Sequence, residues 1–329
     1  MTTKNPRIGI LGALALILVL SGHSYDNTAR SVLVRVLQRQ RSVDYVRIES
    51  RPSSQGGPEW RLKVQTVKDL GIKVRIMGPL SQEGVVSIDD AKELRTYFPD
   101  EDTVLIQPSP FLLQPKLDWR LKLVDQNYKV KFGGTDEIAG QPVREIQLVP
   151  VRDSIPTRKM YVDVKHDVVL KYVVDTPQAG SIVLFDTKSV IFDRAAAALD
   201  FDMPTEASEA RVHKRRGPTA IKSPSDSRDL AGFSARLVKT PPYGFRESGA
   251  YVFKDTRGAF VGVKLSDGMA TLTVYQWRAD KFKSAPTRDV RVEMTDAYGI
   301  KYGISFSQGD QIPDAMLQKI VEAYVNRSE

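Results

Sequence analysis

No cysteine occurs among the 329 residues. Disulfides, thiol nucleophiles, thiolate metal sites and a lipid-modified N-terminal cysteine are thereby excluded. Histidine is nearly as scarce. His23 lies in an N-terminal apolar segment, His166 at a hairpin turn and His213 in a connecting segment. No two are spaced to hold one metal, and none adjoins a candidate nucleophile. A glycine-rich phosphate loop is missing too, because Gly56-Gly57 and Gly133-Gly134 are isolated turn pairs. The acidic clusters Asp89-Asp90 and Asp100-Glu101-Asp102 adjoin strand ends, where carboxylates serve turns. The expectation is a protein with no catalytic residues, no metal and no cofactor, and not an enzyme.

Long apolar runs are confined to Ile8–Leu20, which is shorter than the roughly 20 residues a spanning helix needs. Lys4 and Arg7 precede this run, and the small residues Ser21-Gly22-His23-Ser24 follow it. Residues 1–24 thus read as a signal peptide, cleaved after Ser24, or as an N-terminal anchor. Both place the bulk of the chain outside the cytoplasm. The formal charge is +8, and Lys4 and Arg7 supply two of those charges. A moderate positive balance permits an acidic partner without specifying one.

What the sequence has in abundance is alternation. Arg158–Asp193 reads as three strands, Lys159–Val164, Val168–Val174 and Ile182–Asp193, separated by turns at His166-Asp167 and Thr176–Gly180. Met160, Val162 and Val164 fall on one face, with Tyr161 and Asp163 on the other. This is the period-two pattern of an antiparallel meander. Upstream, Asn27 or Thr28 can cap a helix over Ala29–Arg41 with Val32, Leu33, Val36 and Leu37 along one side. Short strands follow at Tyr45–Arg51, Trp60–Val67, Ile72–Met77, Gly84–Ile88, Glu93–Phe98 and Thr103–Gln107. Leu117–Gln126 suits a second helix, with strands at Tyr128–Phe132 and Val143–Val149 beyond it. Residues 25–194 are therefore expected as one domain built on a large curved antiparallel sheet, with the two helices inside its concave face. The apolar strand positions of that face could line a pocket for acyl chains.

Residues 195–231 are poor in large apolar side chains and rich in Ser, Asp and Pro, and read as a linker. They include the basic run His213-Lys214-Arg215-Arg216, read as solvated charge. A second, smaller domain is expected over 232–329. It would hold strands at Phe233–Val238, Tyr251–Lys254, Ala259–Ser266, Met269–Trp277, Arg288–Thr295 and Lys301–Phe306. Asp267-Gly268 reads as a two-residue hairpin turn with positive φ at both positions. A closing helix begins at Pro313, with Met316, Leu317, Ile320, Val321 and Tyr324 on its apolar side. The fold class read from these patterns is α+β for both domains.

Several segments resemble one family in their order and spacing. They are Leu33–Ser50 with Ser42-Val43-Asp44-Tyr45, then Asp136–Gln141, Leu148-Val149-Pro150, Tyr161-Val162-Asp163 and Leu170-Lys171-Tyr172. In the second domain they are Pro242-Tyr243-Gly244-Phe245, Leu265–Ala270 and Ile312-Pro313. Together they are similar to the RseB/MucB family of periplasmic stress-response regulators, whose large domain shares the LolA/LolB lipoprotein-carrier fold. The resemblance implies a half-barrel whose apolar concave side binds lipid or lipopolysaccharide. It also implies a smaller domain that contacts the extracytoplasmic segment of an anti-sigma factor. No sharp motif marks the partner surface, which is expected on the C-terminal domain around Asp267 and Gly268. A periplasmic lipid or lipoprotein carrier of the LolA type is the alternative function, although a simple carrier does not need the second domain.

Overall fold

The computed structural model describes residues 28–52, 58–152, 155–176, 180–287, 290–306, 312 and 314–326. The expected export segment, the turn residues 53–57 and 177–179, and Pro313 lie outside the described residues.

The chain begins with α1 (Ala29–Arg39), then β1 (Tyr45–Arg51), β2 (Trp60–Val67), β3 (Gly71–Gly78), β4 (Val86–Asp89), β5 (Glu93–Phe98) and β6 (Thr103–Pro108). After α2 (Leu117–Asn127) come β7 (Tyr128–Ile138), β8 (Gln141–Pro150), β9 (Thr157–Asp163), β10 (Val169–Thr176) and β11 (Gly180–Ile191). The middle of the chain holds α3 (Arg194–Ala198), β12 (Arg211–Lys214), β13 (Thr219–Ile221) and α4 (Pro224–Ala231). The last part is β14 (Arg246–Asp255), β15 (Gly258–Ser266), β16 (Thr271–Arg278), β17 (Val292–Thr295), β18 (Ile300–Phe306) and α5 (Asp314–Val325).

Two sheets result. The larger has 12 strands in the order β12-β6-β5-β4-β3-β2-β1-β11-β10-β9-β8-β7 and stays open, as β12 and β7 do not meet. Its pairings are antiparallel except β12 with β6. The smaller has six strands in the order β13-β14-β15-β16-β18-β17. The fold is α+β, a large curved sheet with α1 and α2 in its concave face and a smaller sheet beside it.

Local chemistry explains the helices in the concave face. Thr28 caps α1 by accepting a hydrogen bond from the Ser31 N–H. Val32, Leu33, Val36 and Leu37 then point one way and pack with Val124 of α2 onto Tyr128, Ile146, Leu148, Met160 and Val162 of β7–β9. Fully burying side chains of this size is worth about 1.5–3 kcal/mol each, which is what holds two short helices in place.

The segment read as a linker carries structure of its own. Gln65 Nε2 on β2 donates to the carbonyls of Ala197 (2.9 Å) and Leu199 (2.7 Å). Lys73 Nζ on β3 donates to the carbonyls of Asp200 and Asp202. Ala197 and Phe201 cover Val67, Val86 and Ile88, while Ala207 and Ala210 reach Tyr97 and Val104. Residues 194–210 therefore coat the outer face of β2–β6. Few large apolar residues suffice, because buried polar side chains of the sheet hold the strap by its backbone carbonyls. Beyond it, β12 joins the large sheet, and the chain crosses to β13 of the smaller one within Arg215–Pro218.

Two expectations for the second sheet are corrected. Phe233–Val238 forms no strand and pairs with none. Its backbone is held by a side chain instead: the Arg236 N–H donates to Gln276 Oε1 at 2.8 Å, and Gln276 Nε2 donates to the Arg236 carbonyl at 2.7 Å. The β15–β16 connection is also longer than two residues, since the last pair is Ser266 with Thr271. Of Asp267 and Gly268, only Gly268 has positive φ, at +102°. The reach of the Asp267 side chain explains why: Oδ1 accepts from the N–H groups of Met269 (2.8 Å) and Ala270 (2.6 Å), closing a wider turn.

Candidate functional site

The concave face of the large sheet is not uniformly apolar. Over β7–β10 the helices fill it. Over β1 and β11 it holds a buried ion cluster. Glu49 has no exposed side-chain surface and lies 2.7 Å from Arg47 Nη2 and 2.6 Å from Arg51 Nη2. Arg47 donates to the Val169 carbonyl at 2.7 Å, and its guanidinium lies 5.4 Å from the Tyr45 ring centre and 4.8 Å from that of Phe185. Burial works against the charge of Arg47, but the facing Tyr45 and Glu49 outweigh it and hold its pKa above the ordinary value. The remaining stretch, on β2 and β3, is apolar and incompletely covered: Trp60, Ile72, Val74 and Ile76 are half-buried against Leu62 and Val64. This strip is the part of the concave face left for an apolar ligand.

The second feature is the joint between the two sheets. α2 ends at Asn127, and Tyr128 opens β7 directly. Asn127 Nδ2 donates to the carbonyls of Gly244 (3.1 Å) and Asp267 (3.0 Å), and Asn127 Oδ1 accepts from Arg152 Nη1 at 2.9 Å. The Tyr128 hydroxyl donates to Asp267 Oδ2 at 2.5 Å and accepts from Arg158 Nε at 3.4 Å. Arg158 also donates to the Tyr172 hydroxyl at 3.2 Å. Burial and the neighbouring Asp267 carboxylate push the Tyr128 hydroxyl well above its usual pKa, although Arg158 opposes this. Met269 and Tyr243 of the second unit pack onto the core that α1 and α2 form.

Asp267 and Gly268, the residues around which a partner surface is expected, lie inside this joint. Asp267 is 1% exposed. A Cβ on Gly268 would stand 2.7 Å from Val124 N and 2.8 Å from the Arg120 carbonyl, so α2 covers the turn. Asn127, Tyr128 and Arg158 escape sequence reasoning because each is polar in a strand or helix end and its partner is more than 100 residues away or in another strand. A buried Asp-Gly turn on one side and a Tyr opening a strand on the other give no joint signal. Two of the three second-domain segments that carry the family resemblance, Pro242–Phe245 and Leu265–Ala270, meet Asn127 here.

The second sheet also bears a cleft of about 1210 Å³. Phe233, Arg236, Leu237, Arg278, Tyr298 and Tyr302 are among its lining residues. Arg236 is fixed by donating to the Tyr324 and Val325 carbonyls at the end of α5. Tyr298, by contrast, is 83% exposed at the rim.

His166, Asp89 and Asp90 make local structural contacts. His166 stacks on Phe192 at 3.8 Å and shares a 2.8 Å hydrogen bond with Asp163 Oδ1. Asp89 accepts from the Ala91 N–H and the Ser109 hydroxyl, and Asp90 from the Lys92 and Glu93 N–H groups, so both close turns. Among the described residues no group of three or more His, Asp or Glu could hold a metal ion. No described helix is long and apolar enough to cross a membrane.

No protein-family model matches the chain, and no curated protein matches it in sequence. Solved structures do match. A crystal structure of MucB aligns at TM-score 0.59 and 11% identity, over 90% of this chain and 96% of that one. A MucA/MucB complex of Pseudomonas aeruginosa aligns at TM-score 0.58 and 12% identity, over 89% and 96%. MucB in complex with MucA(peri) aligns at TM-score 0.58 and 11% identity, over 89% and 97%. Across both sheets and the segment between them, this chain has the fold of MucB, the architecture that its resemblance to the RseB/MucB family implies.

Proposed function

We propose that this protein is a non-enzymatic, periplasmic regulator of the envelope stress response. In this reading it binds the extracytoplasmic segment of an anti-sigma factor and senses lipid or lipopolysaccharide on its concave face. The observation that carries the reading is the second sheet. It is locked onto the large sheet through Asp267, and the likeness to MucB bound to MucA spans both sheets. A carrier of the LolA type would use the large sheet alone. With Asp267 and Gly268 buried, the open cleft beside Tyr298 is the surface on the second domain that a partner would use. The half-buried strip of Trp60, Ile72, Val74 and Ile76 is the place for an acyl chain, beside the Arg47–Glu49–Arg51 cluster.

The test is co-expression with the extracytoplasmic segment of the anti-sigma factor encoded in the same genome. Stable co-purification, and slower proteolysis of that segment, are expected for the mature protein and lost in Tyr298→Ala. A wild-type protein that neither co-purifies with the segment nor slows its cleavage, yet retains lipid through purification, would turn the reading to the carrier.

A further inference from the structure

Neither the joint nor the concave face uses the strand that ends the large sheet. β12 (Arg211–Lys214) lies parallel to β6 and, among the described residues, has no neighbour on its other side. The Arg211 N–H donates to the Asp102 carbonyl at 3.0 Å, and the Arg215 N–H to the Ile106 carbonyl at 2.8 Å. Strand alternation then turns the N–H and C=O groups of Val212, Lys214 and Arg216 outward. Every residue from Arg211 to Gly217 is exposed, Val212 among them at 56%. Arg211 reaches the Glu101 carbonyl at 2.9 Å. The side chains of His213, Lys214, Arg215 and Arg216 make no hydrogen bond or ion pair among the described residues.

The geometry points to β12 as a docking edge for an acidic, extended segment of a partner protein, which would pair with it as a further strand. Main-chain hydrogen bonds to Val212, Lys214 and Arg216 would supply affinity, and carboxylates opposite the cations would supply selectivity. An anionic lipid surface fits less well for two reasons. First, the cations alternate, with Arg211 and Arg215 on one side of the strand and Lys214 and Arg216 on the other, so a flat surface engages only half of them. Second, a lipid surface offers no backbone that could pair in register with the outward row of N–H and C=O groups. The assignment holds for any partner of that chemistry, an anti-sigma factor segment included, and it does not depend on the Tyr298 cleft.

The test uses the whole mature chain and a fluorescein-labelled peptide of alternating Glu and Val, with a Gln-Val peptide as control, followed by anisotropy. The acidic peptide should bind at least ten times more tightly than the control, and added salt should weaken it. Reversing the charges together (Lys214→Glu, Arg215→Glu, Arg216→Glu) should weaken it at least tenfold. Val212→Pro removes one outward N–H and leaves the bonds to β6 intact, so it should weaken binding several-fold with the melting transition unchanged. Equal binding of the two peptides, or binding of the acidic peptide untouched by both variants, would overturn the proposal. So would charge-dependent binding to phosphatidylglycerol vesicles by a protein that Val212→Pro leaves unaltered toward the peptide.

Discussion

The Tyr128 hydroxyl and the Asp267 carboxylate meet at 2.5 Å although 139 residues separate them, and both side chains are buried. This bond joins the first residue of β7 to the turn between β15 and β16. The same carboxylate closes its own turn through the N–H groups of Met269 and Ala270. Asp267 thereby couples the shape of a hairpin to the docking of one sheet on another.

Asp267→Ala should cost about 2–4 kcal/mol, since it leaves the Tyr128 hydroxyl and two backbone N–H groups without their acceptor in a buried site. Tyr128→Phe should cost less, because the Asp267 carboxylate keeps its backbone donors. Chemical denaturation of both single variants and the double variant would give the coupling. Coupling near zero would mean that the bond contributes nothing to holding the sheets together.

Gly268→Val should destabilise the protein by about 2–4 kcal/mol. The backbone has positive φ, and the new Cβ would strike the α2 backbone. Gly299→Ala is the matching control. Its φ is +75°, but a Cβ there meets nothing within 4 Å, so only about 1–2 kcal/mol of backbone strain is expected. Equal losses in the two variants, read by thermal melts, would argue against close packing of α2 on the turn.

Glu49→Ala should be among the more damaging single substitutions, at about 3–5 kcal/mol, because it strands Arg47 in the concave face without its carboxylate. Arg51→Ala should cost less, as Glu49 keeps Arg47. Urea unfolding of the two variants would rank them, and the reverse order would relocate the structural charge to Arg51.

Three buried tyrosines should make stability fall at alkaline pH. Burial, with a nearby carboxylate, raises the Tyr128, Tyr302 and Tyr324 hydroxyls above their ordinary value of 10.0. Below pH 10 both folded and unfolded chains keep these protons, and the stabilisation is complete. As pH rises past 10 the unfolded chain releases protons that the folded chain retains, so stability falls. The slope approaches about 1.4 kcal/mol per pH unit for each tyrosine. Tyrosinate absorbance should therefore show a group of rings that ionise only as the protein unfolds. Full ionisation in a folded protein near pH 10 would contradict their burial.

Trypsin should cut first after Lys214, Arg215 or Arg216, the exposed crossing between the sheets, and not after Arg194, the one trypsin site of the strap at 194–210. The two fragments should remain associated on size exclusion through the Tyr128–Asp267 joint, and separate in Asp267→Ala. Immediate separation in the wild type would show that the chain connection alone keeps the sheets together.

Local patterns were enough to recover most of the elements. Met160, Val162, Leu170 and Val174 alternate because each strand buries one face. Val32, Leu33, Val36 and Leu37 recur at helical spacing because α1 buries one side, and the same holds for Met316 through Tyr324 on α5. The acidic turns could likewise be read, since Asp89 and Asp90 bond to backbone within a few residues. Phe233–Val238 shows the boundary of such reasoning: its apolar residues alternate as in a strand, yet a side chain from Gln276, 40 residues on, takes the place of the ladder.

What the sequence determined by itself was everything set by neighbours a few residues apart: periodicity, caps, turns, the absence of thiol and histidine chemistry, and the likeness in motif order. Only the tertiary structure decided three other matters. It buried the Asp267-Gly268 turn in a joint, wrapped residues 194–210 over the outer face of the large sheet, and placed an ion cluster in a concave face otherwise read as apolar. The first two depend on polar groups that find their partners across more than 100 residues of chain; the ion cluster pairs near neighbours on β1, and it is the curvature of the sheet and the Arg47 bond to the Val169 carbonyl that hold it inside. A buried carboxylate or lysine looks the same in sequence as an exposed one. Its partner is chosen by the packing of the sheets, and that packing also settles which charges, such as those of β12, are left outside.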